Sequence, residues 1–129
     1  MAVKSNNPQA QTHFERAEFV AASIGFEYAI DLYLQGLAID SDNVEAHQAL
    51  RELSLRRKAG GRRALNLIER IRLAKHTNDL HAMLNAEKML AYDPGSYDRM
   101  LAFARAAGTA GMKRTAEWIE TIVTKAMRP

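Results

Sequence analysis

The residues best equipped for chemistry in this chain are few and dispersed. Four histidines occur, His13, His47, His76 and His81. His76 and His81 stand five apart, which turns them off one helix face and misses the i, i+4 spacing with which two imidazoles grip a zinc ion. His47 follows Glu45 closely, but no third ligand accompanies them. The carboxylate pairs Glu15/Glu18 and Glu117/Glu120 are spaced i, i+3, the spacing of neighbours on a solvated helix surface. Cysteine is absent, which removes disulfides, thiolate metal sites and thiol nucleophiles. The expectation from these residues is no catalytic site, no metal and no cofactor.

Positive charge is the stronger chemical signal. Arg51, Arg56, Arg57, Lys58, Arg62, Arg63, Arg70, Arg72 and Lys75 crowd one stretch, opposed there only by Glu52 and Glu69. The first forty-odd residues lean acidic instead, through Glu15, Glu18, Glu27, Asp31, Asp40, Asp42 and Glu45. Although the net charge is only +3, this polarisation suits the steering of a charged partner. The segment from Arg56 to Lys75 admits two readings. One is a face for a polyanion, whether nucleic acid, acidic peptide or lipid headgroup. The other is a solvated helix face whose arginine stems cover apolar surface. No Phe, Tyr or Trp interleaves the segment, and single-strand binders rely on such rings for stacking, so the solvated face is the simpler reading. Gly60-Gly61-Arg62-Arg63 offers backbone N–H groups to a phosphate at the start of a helix. It follows no strand pattern, however, and two glycines also make an ordinary turn.

These side chains must be positioned by helices. Hydrophobic residues make up 47% of the 129, enough to bury a core, and seven glycines with three prolines leave long uninterrupted runs. Residues 1–9 are polar, lack an apolar leader and read as a flexible N-terminus. No run approaches the roughly 18 apolar residues of a membrane span, so the expectation is a cytoplasmic protein with one helical domain over residues 10–127. Apolar periodicity predicts seven helices, near residues 11–23, 26–39, 44–59, 63–75, 79–92, 97–107 and 112–127. In the first pair, Ala17 and Ala29 allow close backbone approach while Phe26 and Tyr33 fill the surrounding space. An Ala29→Leu change should overpack that contact by about 1–3 kcal/mol, and Gly36 should weaken its helix by up to about 1 kcal/mol.

Residues 10–43 span 34 positions, with Ala29, Tyr33, Gly36, Leu37, Ile39 and Asp40 in its second half and Ser41 following. In length and in these positions the stretch resembles a tetratricopeptide repeat. Residues 79–125 resemble the same family, with Ala82, Ala86 and Leu90 before an Asp93-Pro94-Gly95-Ser96 turn, then Phe103, Ala104, Gly111 and Ala116. Residues 44–78 are degenerate. The turns after Asp40 and Asp93 lie 53 residues apart, not a multiple of 34, so the middle holds either an insertion or a one-helix frame shift.

The resemblance implies an all-α solenoid of antiparallel helix hairpins, a tetratricopeptide-like superhelix, whose first helix of each pair lines a concave groove. The matching positions are Gln11, Phe14, Glu18 and Ala21, then Gln48, Glu52 and Leu55, then Leu101 and Arg105. Some members clamp a carboxylate with lysine, asparagine and arginine. Phe14, Glu18, Gln48 and Glu52 stand at the matching positions here, so that clamp is missing and the acidic first groove should prefer a basic or apolar segment. The expected function is a non-catalytic protein–protein interaction or scaffold module that binds a partner protein or peptide segment. The alternatives are binding of nucleic acid or another polyanion through residues 56–75, and self-assembly as a homo-oligomer through a terminal helix that carries Trp118, Ile119, Ile122 and Val123 and is followed by no further polar helix to cap it.

Overall fold

The computed structural model describes residues 3–23 and 25–127. Met1, Ala2, Ile24, Arg128 and Pro129 lie outside the described residues, and with them part of the expected flexible N-terminus. The described residues form seven helices and no strand, as the periodicity predicts. They are α1 (Pro8–Ala22), α2 (Phe26–Ile39), α3 (Val44–Ala59), α4 (Leu67–Leu73), α5 (Asp79–Ala91), α6 (Tyr97–Thr109) and α7 (Lys113–Met127).

Local chemistry sets most boundaries. Pro8 opens α1 at the position where its missing N–H costs nothing, and the Asn7 side chain accepts from Gln9 N and Ala10 N. Asn43, Asn78 and Ser96 cap α3, α5 and α6 in the same way. The segment before α1, read from the sequence as frayed, is held in place. Val3 is buried, Gln11 Nε2 donates to the Val3 carbonyl, and Asn43 Nδ2 donates to the Lys4 carbonyl at 2.8 Å. The fourth helix is shorter than periodicity predicts. Arg57 draws the Arg63 carbonyl to its guanidinium, and Asn66 then starts the helix with a capping box to Glu69. Both keep residues 63–66 out of the helix.

α1 and α2 pack as a hairpin. α3 lies on α2, α5 on both α2 and α3, α6 on α5, and α7 on α6 with a further contact to α3. α3 thus touches α5 and α7 as well as α2, and α4 sits on the side of α5. Residues 60–78, nineteen in all, form an excursion between two helices that pack on each other. This excursion, called the insertion, covers most of the irregular middle of the sequence.

Two apolar clusters result. The first joins Phe14, Ala17, Ala29, Ile30, Tyr33 and Leu37 of the hairpin to Leu50 and Leu53 of α3. The second gathers Met83, Leu90, Met100, Phe103, Ile119 and Val123 from α5, α6 and α7. Gly36 explains the tightness of the first. A Cβ built there would collide with the Phe14 ring, so the conformational cost of glycine in a helix is offset by a slot that an aromatic ring fills.

Candidate interaction surfaces

The predicted groove residues divide by burial. Phe14 is fully buried, with its ring 6.3 Å from that of Tyr33, and Ala21 is buried too. Neither can meet a partner, so the placing of Phe14 in the groove is corrected. The family pattern placed it facing the groove; the slot left by Gly36 takes its ring into the hairpin core instead. Gln11 is committed to the N-terminal segment, accepting from Ser5 N at 2.6 Å while donating to Val3. Leu101 is half-buried against the second cluster. Gln48, Glu52, Leu55 and Arg105 are exposed, and Glu18 is partly so.

Two of these acids act on the same side chain. Glu18 on α1 and Glu52 on α3 both bear on the Tyr33 hydroxyl of α2. Burial first, and then these two carboxylates, push its pKa up against the opposing pull of Arg56. The exposed side chains of Leu55 and Phe19 add apolar surface from the same two helices. Glu18 thus stands on α1 and Glu52 and Leu55 on α3, the two helices that pack on α2.

The basic segment is divided by the fold. Arg57 is buried and serves structure. Its Nε donates to Glu27 Oε2 at 2.7 Å, its NH2 takes the Arg63 carbonyl, and its guanidinium lies 4.2 Å over the Tyr92 ring. One side chain thereby ties α2, α3, the insertion and α5. The bond to Arg57 holds the Glu27 carboxyl below its usual range, while burial and the nearby Asp31 push the Tyr92 phenol up to about 12. Arg56 and Arg62 lean over the Phe26 ring at 5.8 and 5.6 Å. Lys58 and Arg63 are exposed beside the glycine turn. Arg70 borders a cleft with Tyr92 and Arg99 on one side of α4. Arg72 and Lys75 border another on the opposite side, with His81, Asn85 and Lys88 of α5. The sequence run is contiguous, but its charges point three ways.

The polar centre that sequence reasoning missed joins the two clusters. His47 of α3 is fully buried. Its Nδ1 lies 2.6 Å from Glu87 Oε2 of α5, and its Nε2 lies 2.8 Å from the Ser41 carbonyl. Both partners are acceptors, so the doubly protonated ring satisfies both. Burial opposes the charge, but the Glu87 carboxylate outweighs it and the His47 pKa is raised. Trp118 stacks on the imidazole at 6.4 Å and Phe103 approaches at 5.7 Å. Glu87 Oε1 is buried with no hydrogen-bond partner among the described residues. Beside this centre, Asp42 caps α7: Oδ1 accepts from Thr115 N at 2.8 Å and Thr115 Oγ1 at 2.7 Å, and Oδ2 from Arg114 N. Burial resists ionisation of Asp42, and these donors lower its pKa nonetheless. A signal was present in the sequence. Glu87 falls in phase between Met83 and Leu90, and Arg57 in phase with Leu50 and Leu53, each a charge on a buried stripe.

The terminal helix turns its apolar face inward. Ile119 and Val123 are buried, and Trp118 and Ile122 pack against the second cluster. The stripe on which self-assembly through this helix depended is occupied by the chain's own core. No protein-family model matches this chain, and no curated protein and no solved structure matches it either.

Proposed function

We propose that this chain is a non-catalytic protein–protein interaction module, a short stack of helix hairpins of the tetratricopeptide kind that receives a basic or apolar partner segment against α1 and α3. The observation that carries this reading is exposed apolar surface at Phe19 of α1 and Leu55 of α3 on helices that also carry Glu18 and Glu52, whose charges both reach Tyr33. Acidic groups from successive hairpins next to apolar surface match a segment that offers cations and apolar side chains together. The insertion supports the repeat reading by arithmetic. The turns at Asp40 and Asp93 are 53 apart, and removing the nineteen residues 60–78 leaves 34, the length of one repeat.

The test is affinity capture from lysate with the intact chain and with a Glu18→Lys/Glu52→Lys variant, both altered at surface positions. Captured proteins should be lost from the variant while its thermal unfolding stays within about 0.5 kcal/mol of the parent. Equal capture by both chains would remove this face from the reading.

A further inference from the structure

The insertion carries a second surface that the interaction reading leaves unused. None of the residues of α4 is buried. Leu67, Ile68 and Ile71 are 62%, 66% and 54% exposed, an unusual concentration of large aliphatic side chains on one short element. At about 100° per residue, these three cover an arc of roughly 100°, with Arg70 and Arg72 on its two borders and Glu69 and Leu73 on the opposite side. The clefts agree with this placement. Glu69, Arg72 and Leu73 line the one facing α5, and Arg70 lines the other. Glu69, the acid nearest the ridge, is held in the capping box. The result is a convex apolar ridge with a cationic collar, to which Arg63 and Lys75 add exposed charge.

Size decides what such a ridge fits. Three side chains expose on the order of 300 Å², well short of the ~800 Å² that each partner contributes to a stable protein interface. The helix is about 10 Å long, too short to seat a partner helix along its length. A lipid surface needs no complementary groove. It takes aliphatic side chains below the headgroups and pairs a surrounding ring of cations with its phosphates and carboxylates. On the inner border, an open cleft of about 350 Å³ ringed by Arg72, Lys75 and Lys88 leaves room for a headgroup. We infer that residues 62–75 form a peripheral docking site for an anionic membrane surface, with Leu67, Ile68 and Ile71 dipping between lipids while Arg70, Arg72 and Lys75 hold headgroups. No helix among the described residues is long and apolar enough to cross a membrane, and the site requires none.

The experiment is co-sedimentation of the chain with vesicles of phosphatidylcholine alone and of phosphatidylcholine containing about one-third phosphatidylserine. Two variants accompany it, Leu67→Ser/Ile68→Ser/Ile71→Ser and Arg70→Glu/Arg72→Glu, all at exposed positions, with helical content followed by circular dichroism. The parent should bind the serine-lipid vesicles at least about tenfold more tightly than the neutral ones, and each variant should lose about tenfold or more of that affinity. Undiminished binding by the serine variant would reduce the site to bare charge and overturn the inference. So would equal binding to both vesicle types. Retention on polyglutamate or an oligonucleotide with none on vesicles would overturn it too, and assign the patch to a soluble polyanion. The Glu18→Lys/Glu52→Lys variant should bind vesicles like the parent, which separates this site from the groove.

Discussion

The α1–α2 hairpin and the joint between the two clusters are built on opposite principles. The hairpin is apolar and interlocked, with small residues at Ala17, Ala29 and Gly36 admitting Phe14 and Tyr33. Its stability comes from area removed from water and from close packing. The joint is polar and enclosed. His47 and Glu87 face each other inside the protein, Asp42 holds the first turn of α7, and Arg57 bridges four segments. Such contacts are worth little while all partners are present, and their loss is costly because a buried charge is left behind. The hairpin should therefore tolerate conservative apolar exchanges that keep volume. Inside the joint, loss of either member of the buried His47–Glu87 pair should be costly, because the other is left without its partner.

The sharpest way to break this comparison is to remove one buried charge and one buried ring. Glu87→Ala should cost about 3–5 kcal/mol and Phe14→Ala about the same. The two losses should be placed differently. Hydrogen exchange should show the first opening α5, α6 and α7 while α1 and α2 stay protected, and the second the reverse; identical patterns would mean that the two regions unfold as one. pH sharpens the same point. The folded-state pKa of His47 is raised above its ordinary 6.5. Its contribution is thus fully present below that value and is lost as pH rises through the folded-state value. Denaturant midpoints of the parent should fall across that window, and His47→Gln should flatten the slope.

A smaller effect tests the packing of the hairpin. Gly36→Ala improves helix propensity, yet its Cβ meets the Phe14 ring. A net loss of about 1–3 kcal/mol in urea unfolding is expected, whereas a gain would show that the ring has room to move. The smallest effect is at the capped end of α7. Asp42→Ala should cost about 0.5–2 kcal/mol, with Asp42→Asn recovering most of it, as measured by thermal melts.

What was legible in the sequence follows from these two styles of construction. Helix number, the turns at Gly25, Asp40 and Asp93, and the small-residue seam of Ala17 and Ala29 are local or periodic, and each was readable. Gly36 could be placed but not understood, because its cost was visible in one helix and its purpose lay in another. Phe14 was assigned to a groove for the same reason. Among the groove residues, Gln48, Glu52, Leu55 and Arg105 stay exposed, because no ring slot or core position claims them. At the joint, the phase of Glu87 and Arg57 marked them as buried, but their partners were not readable. His47 and Glu87 are 40 residues apart, and Asp42 and Thr115 are 73 apart, so neither pair leaves a spacing signature. The irregular middle was the intermediate case: the interval between turns showed that something interrupts the spacing, but only packing shows that α3 and α5 touch across residues 60–78.

The Asp42 cap also bears on the order of folding. Contacts within the hairpin span few residues and close quickly, whereas the bond from Asp42 to the start of α7 must close most of the chain before it forms. That contact belongs late on the route to the native state. Its loss in Asp42→Ala should therefore appear in the rate at which the protein comes apart, with the rate of folding unchanged. On that expectation, a single carboxylate in the turn between α2 and α3 would act as a latch on kinetic lifetime.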